Sequence, residues 1–129
     1  MCGFVAVINS NENSDNLVLS FNKLRKLNYH RGPDEVKVLH KNKYSLLFRR
    51  LEIIDLNNRS AQPFSSDDNK INLVFNGEIY NDLEIRKKNK SYKYSTNSDS
   101  ESILALYHKE GINALKNLRG MYAFVIYDK

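Results

Sequence analysis

The chain has 129 residues, 41% hydrophobic and 27% charged, with a formal net charge of +5 and one cysteine. That length suits one domain with one core, and the composition argues against a disordered tail. No apolar run reaches the roughly 20 residues of a bilayer span, and the start lacks the regions of a signal peptide. A lone cysteine forms neither a disulfide nor a thiolate metal site, so the expectation is a cytoplasmic chain without a membrane partner.

"CGFVAVIN" is short, apolar and rich in Val and Ile, which predicts a buried strand. Leu17, Phe21, Leu24 and Leu27 then recur at steps of three and four behind the possible caps Ser14 and Asp15, the pattern of an amphipathic helix. Gly32 and Pro33 of "HRGPD" end it. Strands are predicted at Glu35 to His40 and Tyr44 to Arg50, with "KNK" as the hairpin turn, before a polar loop, "NNRSAQPFSSDDN". Ile71 to Phe75 reads as a strand stopped by Asn-Gly. "IRKKNKSYK", Ile85 to Lys93, is the densest basic run. No nucleic-acid or phosphate signature accompanies it, so it reads as a solvated loop face and no nucleic-acid partner is expected. Ser98 and Glu101 have capping-box spacing ahead of Ile103, Leu104 and Tyr107, with Gly111 placed to end that helix. "MYAFVIYD" closes the chain as a further strand. Short strands at hairpin spacing around two or three helices predict an α+β class with a largely antiparallel sheet.

Among His30, His40 and His108 no pair has metal-ligand spacing, and no metal is expected. Chemistry has one conspicuous candidate. If Met1 is trimmed, Cys2 carries a thiol and a free α-amine on one residue. An α-amine titrates near ~7.7–8.0, so part of it is an unprotonated base at neutral pH. Attacker and base then need no separate histidine. Position alone equally allows Cys2 to be a small buried hydrophobe. Acyl transfer would also need donors for an oxyanion, which the Asn76 side chain and the Gly77 N–H can supply, although Asn-Gly is more often a plain turn. A cation for a substrate carboxylate is available in Arg50, and anions for an ammonium in Glu78 and Asp99. Singly these are also a strand-end charge, a loop acid and an early-helix acid.

Together, in order, "MCGF", "HRGPD", "RRLEIIDL...AQPF", "NGEIYN", "TNSDSESILALY" and "LRGMYAFVIYD" closely resemble the amino-terminal glutaminase domain of glutamine-hydrolysing asparagine synthetases, which are class II glutamine amidotransferases. The resemblance covers essentially the whole chain. It implies an N-terminal-nucleophile hydrolase fold, an αββα sandwich of antiparallel sheets, over residues 1–129. It also implies hydrolysis of L-glutamine to glutamate and ammonia, as the ammonia-supplying part of an asparagine synthetase-like enzyme. Cys2 matches the nucleophile, and Arg50 the residue holding the α-carboxylate, with Leu51, Glu52, Ile53 and Ile54 lining that pocket. Asn76 and Gly77 match the oxyanion pair, Glu78 the neighbouring acid and Asp99 the ammonium receptor. Ala6 stands where the family often has glycine, and the family's later "RDxxGxKPLYY" and "SGGxDS" segments do not occur. The domain is therefore expected to be truncated, its sandwich incomplete at the C-terminus. ATP and magnesium would belong to an absent synthetase domain or subunit, leaving no cofactor here. The alternative is an inactive glutamine-binding remnant or regulatory module.

Overall fold

A computed structural model describes residues 2–8, 14–51 and 61–129. Strand β1 (Gly3–Ile8) is followed by helix α1 (Ser14–Leu27), a 3₁₀ turn (Tyr29–Arg31) and the hairpin β2 (Glu35–Lys41) and β3 (Tyr44–Arg50). Then come β4 (Phe64–Ser65), β5 (Ile71–Ile79), α2 (Asp82–Lys88), α3 (Ser100–Glu110), a second 3₁₀ segment (Gly111–Asn117) and β6 (Gly120–Asp128). The described strands form two antiparallel sheets, ordered β1-β3-β2 and β4-β5-β6. No helix among the described residues is long and apolar enough to cross a membrane.

Alternation along the two central strands sorts the chain into four layers. From β3, Tyr44, Leu46 and Phe48 meet Val74 of β5 in the gap between the sheets, joined there by Cys2, Phe4, Ala6, Val125 and Tyr127. The opposite face of β3 looks toward α1, where Phe21 is buried and meets the His40 ring edge-on at 5.2 Å. From β5, Ile71, Leu73, Phe75 and Ile79 pack with Ile85 of α2 and Ile103, Leu104 and Leu106 of α3. Leu46, Leu47, Leu73, Val74 and Ile103 are fully buried, each contributing roughly 1.5–3 kcal/mol of apolar transfer. The result is the expected αββα sandwich.

Adjacent arginines at the end of β3 illustrate the sorting. Arg49 turns outward and is 7% exposed. Its guanidinium donates to the Arg25 carbonyl at 2.8 and 3.2 Å and to the Gly32 carbonyl at 3.4 Å, tying the C-terminal end of α1 to the sheet. Arg50 turns inward, toward the gap.

Several sequence expectations need correction. β1 is an edge strand whose side chains are mostly half-buried, not a buried one. Helix α1 begins at Ser14, which puts Ser14 and Asp15 in its first turn, and Leu27 is exposed whereas Phe21 is buried. β5 does not stop at Asn-Gly. It runs to Ile79 because the register with β6 continues through Asn76↔Ala123, Gly77↔Tyr122 and Glu78↔Met121. The polar loop contains β4. Part of the basic run is helical: α2 carries Asp82 and Glu84 in its first turn and Arg86, Lys87 and Lys88 in its last, which suits the helix dipole, and it buries Ile85. Lys87, Lys88 and Lys93 are nevertheless solvated. The Glu101 carboxylate makes no capping box with Ser98; it accepts from the N–H and hydroxyl of both Ser95 and Thr96.

Candidate active site

The gap between the sheets opens at both ends of β3. At the Tyr44 end lies a cavity of about 660 Å³ walled by Lys41, Lys43, Lys70, Lys129 and the stacked rings of Tyr44 and Tyr127. It contains no thiol. At the Arg50 end a smaller cavity, about 240 Å³, is lined by Cys2, Arg50, Leu51, Asn76, Gly77, Glu78 and Asp99, together with Gln62, Ser98 and Ser100. Glu52, Ile53 and Ile54 lie outside the described residues.

Cys2 immediately precedes β1 and shares the gap-facing side of Phe4. Its sulfur accepts from the Leu51 N–H at 3.4 Å and faces the Leu51 carbonyl at 3.7 Å. Its own carbonyl accepts from the Arg31 guanidinium at 3.2 Å, so the "HRGPD" segment anchors the backbone that carries the thiol. Gly32 lets that segment lie on β3: a Cβ there would sit within 2.6 Å of the Arg49 and Arg50 backbone.

Arg50 is 4% exposed, and its guanidinium lies 3.5 Å from Glu35 of β2. On the opposite sheet Asn76 shares the gap-facing side of β5 with Val74. Gly77 has φ +153°, a conformation that side-chain-bearing residues rarely adopt, and a Cβ there would strike the Met121 carbonyl and Tyr122. Glu78 is exposed at the rim.

Asp99 stands just before α3, and its carboxylate accepts from the Ile79 N–H at 2.7 Å. Burial raises its pKa above the usual aspartate value, with the N–H groups of Ile79 and Ser100 opposing the rise and the charge of Asp82 adding to it. The loop that presents Asp99 is clasped from two sides. Glu101, 3% exposed, takes Ser95 and Thr96 as above. Arg86 donates to the carbonyls of Thr96 and Ser98 at 3.0 and 2.6 Å while pairing with Asp82 at 2.9 Å. The sequence offers Glu101 only as a capping-box partner and Arg86 only as part of a basic run; the clasp is visible once the fold buries the acid and half-buries the base beside it. Gln62 was likewise missed, although it stands inside the quoted "AQPF".

The arrangement places a thiol, a guanidinium, a carboxylate and backbone and amide donors around a space smaller than the roughly 300–1,000 Å³ of drug-sized sites. Opposite charges among its lining residues suit a small zwitterion, and the amide donors that share the cavity with the sulfur suit the oxygen of an acyl group.

The sequence matches the glutamine amidotransferase domain family over residues 1–129. It is 40% identical over 136 residues to asparagine synthetase [glutamine-hydrolyzing] 1 of Bacillus subtilis, covering 100% of this chain and 21% of that protein. It is 36% identical to asparagine synthetase B [glutamine-hydrolyzing] of Escherichia coli, covering 99% of this chain and 23% of that one. The Arabidopsis thaliana asparagine synthetase [glutamine-hydrolyzing] 1 is 35% identical, with 99% and 22% covered. The chain thus spans between a fifth and a quarter of the length of these relatives. Among solved structures, glutamine phosphoribosylpyrophosphate amidotransferase of Bacillus subtilis superposes with a TM-score of 0.56 at 27% identity, covering 68% of this chain and 22% of that one.

Proposed function

The chain belongs to the glutamine amidotransferase domain family, and from that premise we propose that it hydrolyses L-glutamine to glutamate and ammonia with Cys2 as nucleophile. The observation that carries this reading is the Cys2 sulfur resting on the Leu51 N–H at the cavity that Arg50, Asn76 and Asp99 also line.

With Met1 removed, the Cys2 α-amine takes the thiol proton and the sulfur attacks the side-chain amide carbon of glutamine, forming the C–S bond. Asn76 and the Gly77 N–H hold the oxyanion that develops. Collapse breaks the C–N bond, and the proton on the α-amine passes to the departing nitrogen, which leaves as ammonia. Water then attacks the γ-glutamyl thioester, returning the thiol and releasing glutamate. Arg50 holds the α-carboxylate and Asp99 the α-ammonium, so the reacting amide is oriented before chemistry begins. The relatives' names point to the use of the product: ammonia passes to a synthetase domain or subunit that makes asparagine. ATP and magnesium, which the motif resemblance implies, would be handled there and not in this domain.

Intact-mass measurement of the mature chain, followed by incubation with L-glutamine, tests the reading. A chain starting at Cys2 that releases glutamate and ammonia in equal amounts, and whose Cys2 is alkylated by 6-diazo-5-oxo-L-norleucine, supports it. Retention of Met1, or no ammonia from a chain that does start at Cys2, overturns it in favour of a non-catalytic glutamine-binding module.

A further inference from the structure

We propose that Gln62 is a positioning residue for Asn76 and Gly77, holding β5 at the residue just before them; the inference rests on the oxyanion roles proposed above for that pair. Strand β4 is two residues long and pairs Phe64 with Leu73 and Ser65 with Asn72. Followed back along the same register, the position opposite Phe75 belongs to residue 62. No backbone ladder reaches it, and Pro63 has no N–H to offer.

The Gln62 side chain takes the place of the missing strand. A primary amide carries the same donor and acceptor as a peptide group. Here Nε2 donates to the Phe75 carbonyl at 3.1 Å while Oε1 accepts from the Phe75 N–H at 2.5 Å. Two bonds to one residue fix the tilt of the strand as well as its position. On its other side Phe75 is opposite Phe124 of β6, so β5 is held from both edges at the step before Asn76. Gln62 is 5% exposed and itself lines the cavity. With its amide removed, the Phe75 N–H and carbonyl lose their partners in a buried place, and the strand must shift to find others. Arg50 stands on β3 in the other sheet, and Asp99, in the loop before α3, meets β5 only at the Ile79 N–H, four residues beyond Phe75, so such a shift at Phe75 moves the oxyanion donors relative to the substrate anchors.

The test uses the full chain with Cys2 exposed and the isosteric variant Gln62→Met. Glutamine hydrolysis gives kcat and KM. Binding of glutamine is measured in a Cys2→Ala background, and binding of glutamate γ-semialdehyde with the thiol intact, since the thiolate adds to that aldehyde and places an oxygen where the oxyanion forms. A drop in kcat of about 10- to 100-fold is expected from a misplacement of this kind, with a parallel loss of aldehyde affinity and little change for glutamine. An unchanged kcat in the folded variant, or glutamine and aldehyde affinities falling together, overturns the assignment. If Gln62→Met does not fold, hydrogen exchange in the unmodified chain decides: the Phe75 amide must exchange as slowly as that of Leu73, and rapid exchange refutes the clamp. Absence of glutaminase activity in the unmodified chain would instead defeat the proposed function, and the exchange measurement would still read the clamp.

Discussion

The Asp99 carboxylate accepts the Ile79 N–H at 2.7 Å, which joins the loop before α3 to the last residue of β5. That bond favours the ionised carboxylate, yet burial outweighs it and raises the Asp99 pKa. The folded chain therefore binds this proton more tightly than the unfolded chain. Stability contributed by the protonated form is fully present below the unfolded aspartate value and is lost as pH rises through the raised one. Asp99→Asn, which keeps an acceptor for Ile79, should consequently raise Tm at neutral pH. Because an ammonium is received only by the ionised form, KM for glutamine should rise as pH falls through the raised pKa, and Asp99→Asn should be weak in binding and flat over that range. Thermal melts and a pH series of KM check both; a lower Tm at neutral pH for the variant refutes the burial argument.

Arg50→Ala should chiefly weaken glutamine binding, with kcat at saturation reduced far less than kcat/KM, because a residue in the role proposed for Arg50 holds the α-carboxylate equally in ground and transition states. Arg50→Lys should recover only part of the loss, since a single ammonium cannot reproduce the guanidinium fork. Steady-state kinetics distinguish these outcomes from an equal fall in kcat and kcat/KM.

Asn76→Ala should cost on the order of 10²–10³ in kcat if its side chain holds the oxyanion. Glutamine affinity should survive. A loss confined to KM would assign Asn76 to ground-state binding instead.

Gly32→Ala adds a Cβ that would lie within 2.6 Å of the Arg49 and Arg50 backbone. Either β3 or the 3₁₀ turn must move, and overpacking of this kind costs about 1–3 kcal/mol. Since the same turn carries Arg31 onto the Cys2 carbonyl, the variant should lose both denaturant resistance and alkylation rate at Cys2. Urea melts and labelling kinetics report the two losses separately.

The β2–β3 hairpin was legible because two short strand-like runs about a polar turn are local signals, and the helix at α3 because its apolar spacing and Gly111 are. Arg50 was legible as a candidate through its motif, while its neighbour Arg49 became a clasp only once α1 was folded against β3. Asn76 and Gly77 misled as a turn because the pairing that carries β5 past them comes from β6, more than forty residues later. Gln62 stands inside "AQPF", but no periodicity or spacing there marks its role. Its amide imitates a peptide across a register that exists only after β4 and β5 meet.

The Cys2 sulfur, the proposed attacker, is carried by one sheet and the proposed oxyanion donors by the other, and what separates the sheets is a filling of Leu46, Phe48, Val74 and their neighbours. The bulk of those hydrocarbon side chains therefore acts as a spacer that sets reach between sulfur and donors. A methylene gained or lost there, several residues from any reacting atom, retunes the reaction as directly as it alters the melting point.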